Sequence, residues 1–261
     1  MANNKRDYFP DVYYRFPNRL KARSVLQTRY GRDDWYEWLA GNIPLPAGAV
    51  VADVGCGAGS LWTKIPQNVR SDLKLRLFDL SQTEVEVART SISSLGRWAD
   101  VEVSVANAEA LPLPDAYVDT TIAISMLHQL RDPVAGIREM KRVTRDGGAV
   151  AIVLSPENSM AELSALVYAS LGSRHQTQNK HLSSERGLAL FRREFSCVEV
   201  VRYDDHLQVT DPIDLLGYLR SLPAADKRGA MDKFARMVED AFTLNDVFKI
   251  TKADDLIIGY K

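Results

Sequence analysis

The sequence predicts an α/β fold on a doubly wound, mostly parallel sheet, with an N-terminal helical cap and a lid insertion. Three observations carry that reading. Short apolar runs alternate with helix patterns between Ala49 and Leu154, as expected for parallel strands covered by helices on both faces. The first apolar run ends in a glycine-rich turn, Gly55-Cys56-Gly57-Ala58-Gly59. Helix starts are marked further on, at Ser81 with Glu84 three residues later and at Asp132 followed by Pro133, a capping box and an N-terminal proline.

In order, Leu20, Arg23, Ser24, Gln27 and Tyr30 have helical spacing and Asp33–Leu39 suggests a second short helix. The Ile43-Pro44-Leu45-Pro46 run then stops any helix, because proline lacks the donor and clashes with the preceding turn. Ala49–Val54 reads as a buried strand and Leu61–Ile65 as the start of a helix after the glycine turn. Leu73–Leu80 is a second strand, followed by a helix whose Val85, Ala88, Ile92 and Leu95 share one face. Val101–Ala106 and Val118–Ile124 are strands three and four. A helix from Asp132 is expected to end at Gly147-Gly148, with a fifth strand over Ala149–Leu154.

Beyond Pro156 the pattern changes. Helices are expected over Met160–Leu171, Leu188–Phe191, Ile213–Leu219 and 224–242, with a polar, loop-like Gly172–Arg186. Strands are expected over Val198–Tyr203, Leu207–Thr210, Phe248–Thr251 and Leu256–Tyr260. The domain reading is a cap over residues 1–47 and one ligand-binding domain over 48–261, with its lid at about 156–194.

Composition narrows the function. Of 261 residues, 46% are apolar and 26% charged, and 33 basic against 34 acidic residues give a formal net charge of −1. That is enough apolar material for a sizeable core, and the basic excess of a nucleic-acid binder is missing. Two cysteines, Cys56 and Cys197, form neither a disulfide framework nor a metal cluster. His175 and His181 lie in a polar stretch without a third ligand, so no metal site is expected. The polar start from Met1 to Arg6 has no signal-peptide core, and no apolar run approaches the ~20 residues of a membrane span. The expectation is a cytoplasmic monomer or homodimer.

The sharpest motif is Asp53-Val54-Gly55-Cys56-Gly57-Ala58-Gly59 between a strand and a helix. Glycines there let a ligand approach where a Cβ would clash. The dinucleotide fingerprint needs Gly-x-Gly-x-x-Gly, and here the third glycine comes one residue early. A carboxylate at Asp53 would repel a pyrophosphate but suits a ligand with an ammonium group. That combination points to S-adenosylmethionine, although glycines also make purely structural turns. Asp79, at the end of the second strand, can accept from both ribose hydroxyls, or can be a plain solvated strand end. Asn107-Ala108-Glu109 follow the third strand at the edge where such sheets bind ligands.

From Ala49 to Ser155, about 105 residues, the chain resembles the class I S-adenosylmethionine-dependent methyltransferases. The matching pieces are the turn from Asp53 to Gly59, Leu77-Phe78-Asp79-Leu80-Ser81, Ala108-Glu109-Ala110-Leu111-Pro112, Leu127-His128 before Asp132-Pro133, and Arg142-Val143-Thr144-Arg145-Asp146-Gly147-Gly148. The resemblance implies a Rossmann-like seven-stranded sheet with S-adenosylmethionine as cofactor. It places Asp53, Gly55, Cys56, Gly57 and Gly59 against the methionine part, Asp79 and Leu80 against the ribose side, and Asn107, Ala108 and Glu109 against the adenine. The family usually has aspartate at Asn107; asparagine keeps an acceptor oxygen and adds two donors.

Methyl transfer from a sulfonium needs alignment and exclusion of water more than a catalytic triad, and none is visible. His128 is the candidate acid/base group and Ser125 a substrate or cofactor contact; both can equally be local packing and strand-end polarity. Tyr13, Tyr14 and Tyr30 are candidates to cover the cofactor's cation, or to pack. The expected activity is methyl transfer to an oxygen or nitrogen of a small molecule. Three alternatives stand beside it. One is an enzyme that consumes the cofactor itself, cyclising it to azetidine-2-carboxylate with release of methylthioadenosine. Another is a non-catalytic cofactor-binding module. The third, RNA or protein methylation, is disfavoured by the neutral charge balance.

Overall fold

The computed structural model describes residues 17–171 and 182–261. Seven strands form one sheet, ordered β3-β2-β1-β4-β5-β7-β6. They are β1 (Val50–Val54), β2 (Lys74–Asp79), β3 (Asp100–Val105), β4 (Val118–Ile124), β5 (Thr144–Leu154), β6 (Cys197–Val209) and β7 (Phe248–Tyr260). The pairings β1–β2, β2–β3, β1–β4 and β4–β5 are parallel, and β5–β7 is antiparallel. The sheet is therefore mixed, with its parallel part wound outward from β1 in both directions. The switch of direction lies between β1 and β4, whose carboxyl ends are where a crevice opens in such sheets.

The helices are α1 (Pro17–Tyr30), α2 (Trp35–Asn42), α3 (Ser60–Lys64), α4 (Gln82–Ser93), α5 (Pro133–Val143), α6 (Ala161–Leu171), α7 (Ser184–Glu194), α8 (Pro212–Arg220) and α9 (Ala230–Leu244). The predicted caps explain several starts. The Ser81 hydroxyl accepts from Glu84 N–H, and the Asp132 carboxylate accepts from Val134 and Ala135 N–H with Pro133 at the first position. The predicted face of α4 is buried at Val85, Ala88 and Ile92, whereas Leu95 lies past the end of the helix and is exposed. Buried side chains of the size of Val85 and Ile92 each stabilise the fold by roughly 1.5–3 kcal/mol over the exposed state.

The chain folds into two compact units. The larger unites residues 34–157, 182–203 and 254–261, and holds the parallel sheet between two apolar layers. Trp62 and Trp98 meet edge to face in one layer, their centroids 5.4 Å apart. The smaller unit gathers residues 17–33, 158–171 and 204–253 around Leu26, Leu163, Leu219 and Phe234. The expected cap is thus split, with α1 in one unit and α2 in the other. The stretch expected as a lid is split as well, with α6 in the smaller unit and α7 in the larger. Among the described residues no helix is long and apolar enough to cross a membrane, and no three His, Cys, Asp or Glu side chains converge as a metal site.

Other differences from the sequence reading have local causes. Gly147 and Gly148 do not end α5, which stops at Val143. They sit inside β5, at a register shift against β4 between Val118 and Thr120. A Cβ at Gly148 would lie 2.6 Å from the Asp119 carbonyl oxygen, so this is a place of close strand approach. The four short C-terminal strands are two long ones, β6 and β7. In β7 the acids that interrupt the apolar pattern are buried with partners: Asp254 accepts from Ser155 Oγ at 2.8 Å and Trp35 Nε1 at 3.2 Å, and Asp255 pairs with Arg202 at 2.7 Å.

Candidate functional site

At the carboxyl end of β1 the chain turns through Gly55, Gly57 and Gly59, with φ of +75°, +53° and +75°. L-residues with a Cβ are strained in that region, so the spacing of three glycines is a backbone requirement. The three differ in surroundings. A Cβ on Gly55 would lie 2.7 Å from Met126 Cγ, and one on Gly59 2.6 Å from Ile92 Cδ1. A Cβ on Gly57 would meet nothing nearer than Glu84 Oε2 at 3.9 Å. Gly57 is the one position where the missing side chain leaves open space beside the turn.

Two acids secure this turn. Asp79, at the end of β2, is buried and accepts Gly57 N–H at 2.8 Å through one oxygen and Ser81 N–H at 2.9 Å through the other. Gly55 and Cys56 N–H both reach the Phe78 carbonyl, at 2.7 and 3.0 Å. Asp53 is 2% exposed and accepts Trp62 Nε1–H at 2.8 Å. Burial pushes its carboxyl up to about 7, against the Trp62 hydrogen bond and with help from the nearby Asp79 charge. Cys56 is driven far up by burial and by Asp53, so its thiol stays protonated and unreactive.

The third-strand candidates form a compact turn. Asn107 Oδ1 accepts Glu109 N–H at 3.0 Å and the Asn107 carbonyl accepts Ala110 N–H at 2.9 Å. Ala108 is buried beneath, and Glu109 Oε1 accepts Asp132 N–H at 3.2 Å. Asn107 thus uses one lone pair of its acceptor oxygen on its own backbone, and keeps a second lone pair and its NH₂. Leu80, 66% exposed, stands next to Asp79.

The exit of β4 is the other side of the site. Ser125 is exposed and has φ of +53°, with its N–H on the Val153 carbonyl at 3.1 Å. Met126 follows, against Gly55. His128 lies in a short 3-10 helix, Leu127–Gln129. Burial pushes its imidazole down to about 4, so it is neutral at physiological pH. Tyr30 belongs to the smaller unit, where its hydroxyl donates to Asp214 at 2.7 Å and burial raises its pKa. Tyr13 and Tyr14, like His175 and His181, lie outside the described residues.

Residues 52–152, nearly the whole stretch that carries these groups, match the family model of a methyltransferase domain. The ubiquinone/menaquinone biosynthesis C-methyltransferase of Shewanella frigidimarina is 33% identical over 167 residues, covering 64% of this chain and 66% of that protein. The malonyl-[acyl-carrier protein] O-methyltransferase of Geobacter sulfurreducens is 31% identical over 179 residues, covering 67% of this chain and 64% of that one. The chain belongs to the class I S-adenosylmethionine-dependent methyltransferase family. It spans about half to two thirds of the length of the curated relatives it matches.

Solved structures agree on the fold of this chain. The YcgJ protein of Bacillus subtilis superposes with a TM-score of 0.62 at 19% identity, covering 87% of this chain and 97% of that one. The [4+2]-cyclase SpnF superposes at 0.59 and 19%, covering 95% of each chain. At such identities only the fold is shared, and one fold can carry different reactions.

The family's cofactor is S-adenosylmethionine, and the residues present fit it. Gly57 leaves a cradle that a Cβ would fill, and the acids suit a cationic ligand in place of a pyrophosphate. Within the larger unit the structure brings together Asp53, the three glycines, Asp79, Leu80 and the β4 exit. Three residues beside the candidate site escape sequence reasoning. Trp62 donates to Asp53, and its signal is a tryptophan in the first turn after the glycines. Met126 packs on Gly55, for which the pattern holds no signal. Glu84 fits a capping box by spacing, but Ser81 N–H goes to Asp79.

Proposed function

We propose that the chain is a methyltransferase that moves the methyl group of S-adenosylmethionine to a carbon or oxygen of a small molecule. The observation that carries this reading is the glycine turn, open at Gly57 and backed by Asp53 and Asp79. The relatives named as C- and O-methyltransferases support a carbon or oxygen acceptor, and the balanced charge argues against a nucleic-acid substrate. When bound, the cofactor supplies a methyl group already activated by the sulfonium charge.

The chain's own residues would then do the following. Asp53 and the glycine turn hold the methionine part, and Asp79 and Leu80 the ribose side. Asn107 offers its NH₂ to the adenine, with Ala108 and Glu109 shaping that pocket. Ser125 and His128 face the acceptor, where neutral His128 accepts a hydrogen bond and orients a hydroxyl or enol. A group pushed to about 4 is a weak store for a proton, so His128 orients the acceptor more than it deprotonates it. Tyr30, Tyr13 and Tyr14 remain proposed as residues that cover the cofactor.

Mass spectrometry of the purified protein tests the reading, with S-adenosylmethionine alone and then with a bacterial metabolite extract. S-adenosylhomocysteine appearing only with the extract is the expected result. Methylthioadenosine accumulating without an acceptor would instead mean that the cofactor is the substrate. A bound but unconsumed cofactor in every mixture would mean a binding module.

A further inference from the structure

We propose that Glu84 is a specificity-determining residue of the cofactor site, a third carboxylate at the glycine turn that favours the cationic sulfonium cofactor over its neutral thioether product. The inference rests on the cofactor reading above and adds a residue to it.

Glu84 sits in the first turn of α4, where an acid ordinarily serves the helix. A capping-box glutamate would accept the N–H of Ser81, and an exposed acid would gain from the helix dipole. Neither describes this side chain. Ser81 N–H is held by Asp79 at 2.9 Å, so the reciprocal half of the box is not made. Glu84 is half-buried, and its Oε2 lies 3.9 Å from the Cβ position of Gly57, the open point of the turn. Burial and the Asp79 charge both raise its pKa, the opposite of what a cap would do. The Asp79 charge reaches Glu84 as it reaches Asp53, and among the described residues no ion pair to Lys, Arg or His engages any of the three. Two coupled like charges without a counter-charge, Glu84 half-buried and Asp79 buried, raise the energy of the empty site. A cationic ligand at the Gly57 cradle would lower it.

S-adenosylmethionine and S-adenosylhomocysteine differ by one methyl and one positive charge. Contacts to ribose, adenine and the amino-acid group are common to both, so only a charge that senses the sulfonium separates them. A carboxylate several ångströms away at an effective dielectric constant of about 20 is enough for roughly tenfold discrimination. The result for turnover is easier release of product.

The test is calorimetric binding of S-adenosylmethionine and S-adenosylhomocysteine to the full chain, wild type, Glu84→Gln and Glu84→Lys. These grade the charge at one position, and thermal unfolding checks that each variant is folded. The expected result is about tenfold weaker S-adenosylmethionine binding by Glu84→Gln, with S-adenosylhomocysteine changed by less than about twofold. The preference should fall further with Glu84→Lys, and should weaken in the wild type as salt is raised. Equal losses for both ligands would overturn the proposal, since Glu84 would then touch a part they share. Unchanged binding of both by a folded variant would overturn it too. If the wild type binds neither ligand, the cofactor reading itself fails.

Discussion

The glycine turn and the β4 exit lie side by side, joined where Met126 packs on Gly55, yet they are built in opposite ways. At the turn nearly every polar group is already committed. Asp79 uses both oxygens on Gly57 and Ser81, Asp53 holds Trp62, and Phe78 takes two N–H groups. At the β4 exit the groups are left for something else: Ser125 is exposed on a left-handed backbone, and His128 is buried enough to be neutral. The two regions separate what the fold itself specifies from what is left to individual side chains. A ligand shared by a whole family can be met by backbone and by acids that also brace the turn. A ligand particular to one enzyme is met by side chains with no second duty.

The largest expected contrast comes from truncating one polar group on each side. Asp79→Ala strands two N–H groups at the turn and should cost about 2–4 kcal/mol. Ser125→Ala should stay within about 0.5 kcal/mol. Urea unfolding of both variants checks this, and equal costs would break the comparison. Next comes the seam between the regions. Gly55→Ala needs a side chain at a φ of +75° and 2.7 Å from Met126 Cγ, so a loss of about 2–3 kcal/mol is expected from strain and overpacking.

The smallest effect is in pH. Asp53 is raised from 3.8 to about 7, so between those values the native state holds a proton that the unfolded chain has lost. Its stability contribution is full below about 4 and disappears as pH rises to about 7. His128 is lowered from 6.5 to about 4, so there the unfolded chain binds the extra proton, and its contribution is lost as pH falls from about 6.5 to 4. The two slopes, each at most about 1.4 kcal/mol per pH unit, oppose one another. Asp53→Asn should therefore make stability rise with pH over 4.5–6.5, and His128→Gln should make it fall. Denaturation midpoints across that range check the signs.

What is legible in the sequence follows the same division. Strands β1 to β4 and helix α4 stand out because apolar runs, alternation and caps are local signals. Asp53, the glycines and Asp79 stand out because a strand-turn-helix context gives them one chemistry. β6 and β7 look broken in two because Asp204, Asp205, Asp254 and Asp255 read as turn residues. Partners of Asp254 and Asp255 such as Ser155, Trp35, Ser184 and Arg202 lie far away in sequence or on another strand. Gly147-Gly148 reads as a helix stop because a register shift between strands depends on the neighbouring strand, which no local pattern reveals. The two units are hidden for a related reason: each is assembled from three separated stretches. Glu84 is visible but ambiguous, since the same residue pattern serves a cap and a charged site.

The central claim is that the turn is a cofactor cradle open at Gly57. The most direct test is S-adenosylmethionine binding by Gly57→Ala. A methyl there meets nothing within the protein closer than 3.9 Å, so only the backbone φ of +53° should register in stability, at about 1–2 kcal/mol. The expected result is a folded variant that has lost cofactor binding by at least about a hundredfold, because the methyl fills the ligand's place. A folded Gly57→Ala protein that binds S-adenosylmethionine as the wild type does would contradict it.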